Sequence, residues 1–122
     1  MSGEWLLVFS ITDQGESPVE AFLRGLDPTT QRRFRWSMEQ LRLRNVQARP
    51  PLVRHLEGKL WELREESQTN IYRLIYCFLP GRQIVVLHGF QKKTERTPRR
   101  EIDLARTRLA LVSAREGGDQ AS

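Results

Sequence analysis

The hydrophobic period of this chain switches from helical to alternating at Arg49-Pro50-Pro51, and that change constrains what it can fold into more than any other feature. Upstream, Phe34, Met38, Leu41 and Val46 recur at helical spacing among Arg32, Arg33, Arg35, Arg42 and Arg44. Downstream the spacing is two. Over Lys59 to Glu65, Leu60, Glu62 and Arg64 alternate with Trp61 and Leu63; over Asn70 to Phe78, Tyr72, Leu74, Tyr76 and Phe78 alternate with Ile71, Arg73, Ile75 and Cys77. Proline lacks the amide donor and pushes the preceding residue out of the helical region, so the paired prolines cannot carry a helix forward. A helical segment therefore gives way to a run of strands across a loop.

The remaining elements fit around that boundary. Trp5-Leu6-Leu7-Val8-Phe9-Ser10-Ile11, closed by Asp13-Gln14-Gly15, reads as a first buried strand. Ser17-Pro18 offers a cap and a first-turn proline to a helix with Val19, Phe22, Leu23 and Leu26 on one face, and Asp27-Pro28 starts a second helix. Gln83 to Phe90 contains Ile84-Val85-Val86-Leu87, the pattern of a central strand covered on both faces, and Leu79-Pro80-Gly81-Arg82 supplies the turn before it. Thr97-Pro98 marks a last helix, with Thr97 as cap and Ile102, Ala105, Leu109 and Val112 as its apolar face. The order β-α-α-β-β-β-α predicts an α+β domain: a small twisted, mainly antiparallel four-stranded sheet with two N-terminal helices and a C-terminal helix, packed mainly on one face. At 122 residues the chain suffices for one domain, expected over residues 1–116, with 117–122 a flexible tail.

Composition narrows the chemistry. No apolar run approaches the roughly 18 residues of a membrane span, and Met1-Ser2-Gly3-Glu4 lacks a basic signal-peptide start, so the expectation is a soluble, cytoplasmic protein without a membrane partner. Cys77 is the only cysteine and the histidines are His55 and His88, so no disulfide and no zinc-type spacing is available, and neither metal nor cofactor is expected. The formal charge of +5 is unevenly placed: residues 1–27 hold one base and five acids, net −4, and residues 28–122 hold 19 bases and 10 acids, net +9. Arginine outnumbers lysine 17 to 3, and a guanidinium can grip a phosphate through two parallel hydrogen bonds. The basic part is the candidate polyanion surface.

Alternation places Glu62 and Arg64 on one face of their strand and Arg73 with Ile75 and Cys77 on one face of the next. The following strand delivers His88, Phe90, Lys92 and Lys93 towards its end. Fixed cations with one or two proton-transfer groups suit cleavage of RNA by its own 2′-hydroxyl. That reaction needs a base for the hydroxyl proton, cations for the pentacoordinate phosphorus and an acid for the 5′-oxygen. Glu62 or His88 would be base or acid, with Arg64, Arg73 and Lys93 as electrostatic stabilisers. Tyr72 and Phe90 could stack a splayed base, and Lys59 and Arg96 add phosphate contacts.

The order of these segments carries a resemblance. Leu56-Glu57-Gly58-Lys59-Leu60-Trp61-Glu62-Leu63-Arg64, then Tyr72-Arg73-Leu74-Ile75-Tyr76, then Leu87-His88-Gly89-Phe90-Gln91-Lys92-Lys93-Thr94, then Thr97-Pro98 and Glu101-Ile102-Asp103-Leu104-Ala105 resembles the RelE/HigB-like toxins, in particular their phage-derived, HigB-type branch. The resemblance implies a RelE-like fold and the toxin of a toxin–antitoxin module: a ribosome-dependent mRNA endonuclease, neutralised by a cognate antitoxin of the helix-turn-helix type. It further implies that Arg64 and Arg73 stabilise the scissile phosphate, with Lys92 and Lys93 as the basic pair after the last strand. The chain departs from well-studied RelE members in having Leu60 and Glu62 where they carry lysines, and the Pro98-Arg99 region where they carry a tyrosine. Two other functions compete: a ParE-like toxin, which shares the fold and inhibits gyrase through protein contacts but generally lacks such concentrated cations, and a non-catalytic nucleic-acid-binding module in which the same bases only hold phosphates. Of the single substitutions, Arg73→Ala is the one expected to relieve growth arrest while leaving the protein folded.

Overall fold

The computed structural model describes residues 5–44, 53–93 and 96–121. Its elements are β1 (Leu6–Phe9), α1 (Pro18–Arg24), α2 (Pro28–Arg44), β2 (Val53–Glu57), β3 (Leu60–Ser67), β4 (Asn70–Leu79), β5 (Gln83–Lys92) and α3 (Arg99–Ala121). The strands form one sheet in the order β1-β5-β4-β3-β2, with β1 parallel to β5 and the other pairs antiparallel. The fold is α+β, as the pattern predicts, but with five strands rather than four.

The added strand is β2. Val53-Arg54-His55-Leu56-Glu57 has too few apolar residues to register as a strand, and its pairing depends on the hairpin it makes with β3. Gly58 stands in the turn at φ +54°, a conformation that a side chain disfavours, and a register shift between His55 and Glu57 twists the hairpin. Val46 and Arg49-Pro50-Pro51 lie outside the described residues.

The helix starts follow the sequence. Ser17 Oγ accepts the Glu20 amide at 3.2 Å with Pro18 in the first turn of α1. Asp27 caps α2, its two carboxylate oxygens accepting the Thr30 amide at 3.0 Å and the Thr30 hydroxyl at 2.7 Å. Those bonds hold the Asp27 carboxyl below its ordinary range. At α3 the Pro98 carbonyl accepts the first helical amides, those of Glu101 and Ile102. The Thr97 hydroxyl, expected as the cap, is committed to Glu62 instead. Helix α3 also runs through Gly117-Gly118 to Ala121, a segment expected as tail.

Helices cover both faces of the sheet rather than mainly one. Val19 of α1 and Phe34, Met38 and Leu41 of α2 pack with Leu63, Leu74, Tyr76, Ile84 and Val86. On the reverse, Ile102 and Ala105 of α3 pack with Leu60, Ile75, Cys77, Val85, Leu87 and Phe90. The reason is that β4 and β5 are apolar at both parities, so neither face can be left to water. A bulge between Ile75 and Tyr76, opposite Leu87, turns Leu87 towards the α3 side together with Val85.

Candidate functional site

The register of the three central strands assembles the candidate residues. Arg64 stands directly across from Arg73, Arg73 from Phe90, and Ile75 from both Glu62 and His88; Ile71 is flanked by Glu66 and Lys92. Directly opposed residues share a face. Glu62, Arg64, Glu66, Arg73, His88, Phe90 and Lys92 therefore lie on the face that α3 covers in part. Lys93 and Arg96 follow at the exit of β5, both exposed.

Two arginines directly opposed would repel, and each is met by its own carboxylate. Arg73 and Glu62 form an ion pair sealed inside the protein, at 5% and 1% exposure. The other Glu62 contacts are the Thr97 hydroxyl, donating at 2.6 Å, and Arg54, donating at 3.2 Å from the half-exposed end of its side chain. Thr97 leads into α3, so Glu62 ties together β2, β3, β4 and the start of the last helix. Such a carboxylate is a structural hub, closed to water and to a substrate. Arg64 turns the other way along the strand and donates to Glu66 at 2.6 Å, where Glu66 is 56% exposed.

His88 is likewise enclosed. Its ring stacks on Phe90 with centroids 5.4 Å apart, Nε2 lies 2.6 Å from Glu101 Oε1, and Nδ1 lies 3.3 Å from an Arg108 guanidinium nitrogen. Burial pushes the imidazole below its usual value; Glu101 opposes that shift and Arg108 adds to it. Phe90 is itself 7% exposed and belongs to the core under α3, not to an open stacking platform.

Two of the expected RNA contacts lie elsewhere. Tyr72 is on the opposite face, its ring 6.2 Å from that of Phe22 on α1. Lys59 sits at the turn before β3, roughly 17 Å along the strand from Arg64 at about 3.3 Å per residue. Alternation already separates Tyr72 from Arg73, but nothing local says which face meets α1. The open end of the face thus consists of Arg64, Glu66 and Lys92, with Lys93 and Arg96 past the end of β5 and Arg54 bonded to Glu62 from β2. Glu66 lies one residue past the strand that alternation marks, Lys59 to Glu65, and Arg54 had no signal because β2 itself had none.

Among the described residues no group of three or more His, Cys, Asp and Glu side chains is placed to hold a metal ion, and no helix is long and apolar enough to cross a membrane. Cys77 is buried and its thiol is pushed up to about 11 by desolvation, which keeps it protonated and unreactive at neutral pH.

Comparison with known proteins agrees with the order of motifs. No curated protein matches the chain. A family model does, from residue 21 within α1 to residue 110 within α3. That family is related to the RelE/HigB-type toxins and associated with toxin–antitoxin modules, in which an antitoxin is the expected partner. With the match covering most of its 122 residues, the chain belongs to the phage-derived, Gp49-like protein family (DUF891).

Proposed function

We propose that the protein is the toxin of a toxin–antitoxin module and acts as a ribosome-dependent mRNA endonuclease. The observation that carries this reading is the far end of the α3-side face, where Arg64 donates to the exposed carboxylate of Glu66, Lys92 stands beyond Ile71 on the same face, and Lys93 and Arg96 follow exposed at the exit of β5. In this reading the RNA 2′-hydroxyl attacks the adjacent phosphorus, the bond to the 5′-oxygen breaks, and the products are a 2′,3′-cyclic phosphate and a 5′-hydroxyl end. Arg64 and Lys92 offset the charge developing on the phosphoryl oxygens. Glu66, not Glu62, accepts the 2′-hydroxyl proton, and an ammonium of Lys92 or Lys93 protonates the departing oxygen. Arg73 and Glu62 act as positioning residues: their pair holds β3 and β4 in the register that puts Arg64 opposite Arg73 and Glu66 opposite Ile71.

Primer extension on mRNA after brief induction tests the reading. New 5′ ends should appear only in translated messages and vanish with Glu66→Gln and with Arg64→Ala. Growth arrest without new ends would overturn it. One observation favours a non-catalytic binder as second reading: Glu62 and His88, the proton-transfer groups expected from sequence, are both occupied within the fold. A binder would retain salt-sensitive RNA association and yield no cleavage product in any translation state.

A further inference from the structure

The middle of α3 lines a cleft of about 230 Å³ against the segment following β1, with Ser10, Thr12, Asp13, Gln14, Arg108 and Arg115 as its polar lining. Most of this lining, residues 10–18 and 111–115, falls outside the stretch matched by the family model. Arg108 lies about 14 Å along the helix from Arg99 at 1.5 Å per residue, well away from the start of α3.

The charges in the cleft do not balance. Arg115 is paired with Asp13 at 3.2 Å. Arg108 is partly buried, and desolvation lowers its pKa, yet its contacts are neutral: the Leu87 carbonyl at 2.9 Å and His88 Nδ1 at 3.3 Å. Among the described residues no carboxylate forms an ion pair with it, whereas the buried Arg73 has Glu62. Ser10, 6% exposed, donates to the same Leu87 carbonyl and fixes the floor. At the rim stand Ile11 and Leu111, 50% and 52% exposed, two of the few large apolar side chains left open to water.

We propose that this cleft is a docking pocket for a partner polypeptide, taking the carboxylate of an extended segment that carries one acid between apolar residues. Desolvating a guanidinium without an acid is costly, and a single incoming carboxylate would remove that cost. One uncompensated charge matches one carboxylate. A polyphosphate chain fits poorly, because Asp13 lines the wall and the rim is apolar. A central charged contact ringed by apolar side chains that exclude water is the anatomy of an interface hot spot. If the protein is a toxin, the segment belongs to its antitoxin; the pocket itself requires no RNA chemistry.

The test is NMR titration of the full chain, following the Ile11, Leu111 and Val112 methyl groups, with the capped tripeptide acetyl-Ile-Glu-Leu-amide as probe. Saturable shifts are expected, with binding at least about tenfold weaker for the Gln counterpart. Arg108→Gln should abolish the preference for Glu over Gln. Leu111→Ser, at an exposed position, should weaken both peptides and leave acetate binding unchanged, so the test holds even if Arg108→Gln is poorly folded. Equal binding of the two peptides, absence of saturable shifts at millimolar peptide, or tighter binding of acetate, inorganic phosphate or an oligoribonucleotide at these methyls would each overturn the proposal. Because the readout is peptide binding, a negative result leaves the cleavage reading standing, and a protein that cuts no RNA can still pass.

Discussion

Glu62 and Arg73, offset by two residues across the β3–β4 ladder, neutralise one another inside the protein, and Glu62 in turn holds Thr97 at the entry to α3. Breaking such a pair from one side strands a charge in low dielectric. Glu62→Ala should therefore cost about 3–5 kcal/mol in urea unfolding, while the double variant Glu62→Leu/Arg73→Met should recover a large part of that loss. A loss below about 1 kcal/mol for Glu62→Ala, as for a surface pair, would contradict that burial.

The same burial changes which substitution tests the chemistry. Arg73→Ala removes a core partner as well as a cation, so loss of toxicity in that variant would reflect loss of fold. Arg64→Ala and Glu66→Gln act on partly exposed side chains. Each should abolish growth arrest with a change in stability under about 1 kcal/mol, measured by thermal unfolding alongside a growth assay.

Stability should fall with acid through His88. Its folded-state pKa lies below the ordinary histidine value, so the unfolded chain binds the proton more tightly. The contribution is fully present above the unfolded value near pH 6.5 and is lost as the pH falls through the lower folded one, at no more than about 1.4 kcal/mol per pH unit for one proton. Urea midpoints measured from pH 7 downward should decline, and the decline should flatten in His88→Gln. A steeper decline in the variant would assign the effect to another group.

Gly89 marks a close approach on the α1 side of β5. A Cβ there would meet Phe22 Cδ2 at 2.5 Å and Leu74 Cδ2 at 2.9 Å. Gly89→Ala should destabilise the fold by about 1–3 kcal/mol, and Phe22→Leu in the same chain should relieve part of it. Additive losses in the double variant would show that Phe22 is not the obstacle.

Much of the fold is legible in local pattern because its causes are local. Ser17-Pro18 and Asp27-Pro28 start helices through bonds spanning three residues. Alternation puts Glu62 with Arg64 and separates Tyr72 from Arg73, since successive side chains of an extended chain point to opposite faces. The strand β2 escaped because its stability comes from pairing with β3, not from its own composition.

Local pattern alone sets the switch from helix to strands, the sharing of a face by Glu62 and Arg64, and the basic character of the last strand's exit. Which members of that face stay exposed is set by tertiary contacts. Thr97 reaches Glu62 across 35 residues, Glu101 reaches His88 from α3, and the register of β3, β4 and β5 leaves Arg64, Glu66 and Lys92 beyond the helix. The physical reason is that the direction of a side chain follows from the backbone of its neighbours, whereas burial and charge pairing depend on segments that meet only when the chain is folded.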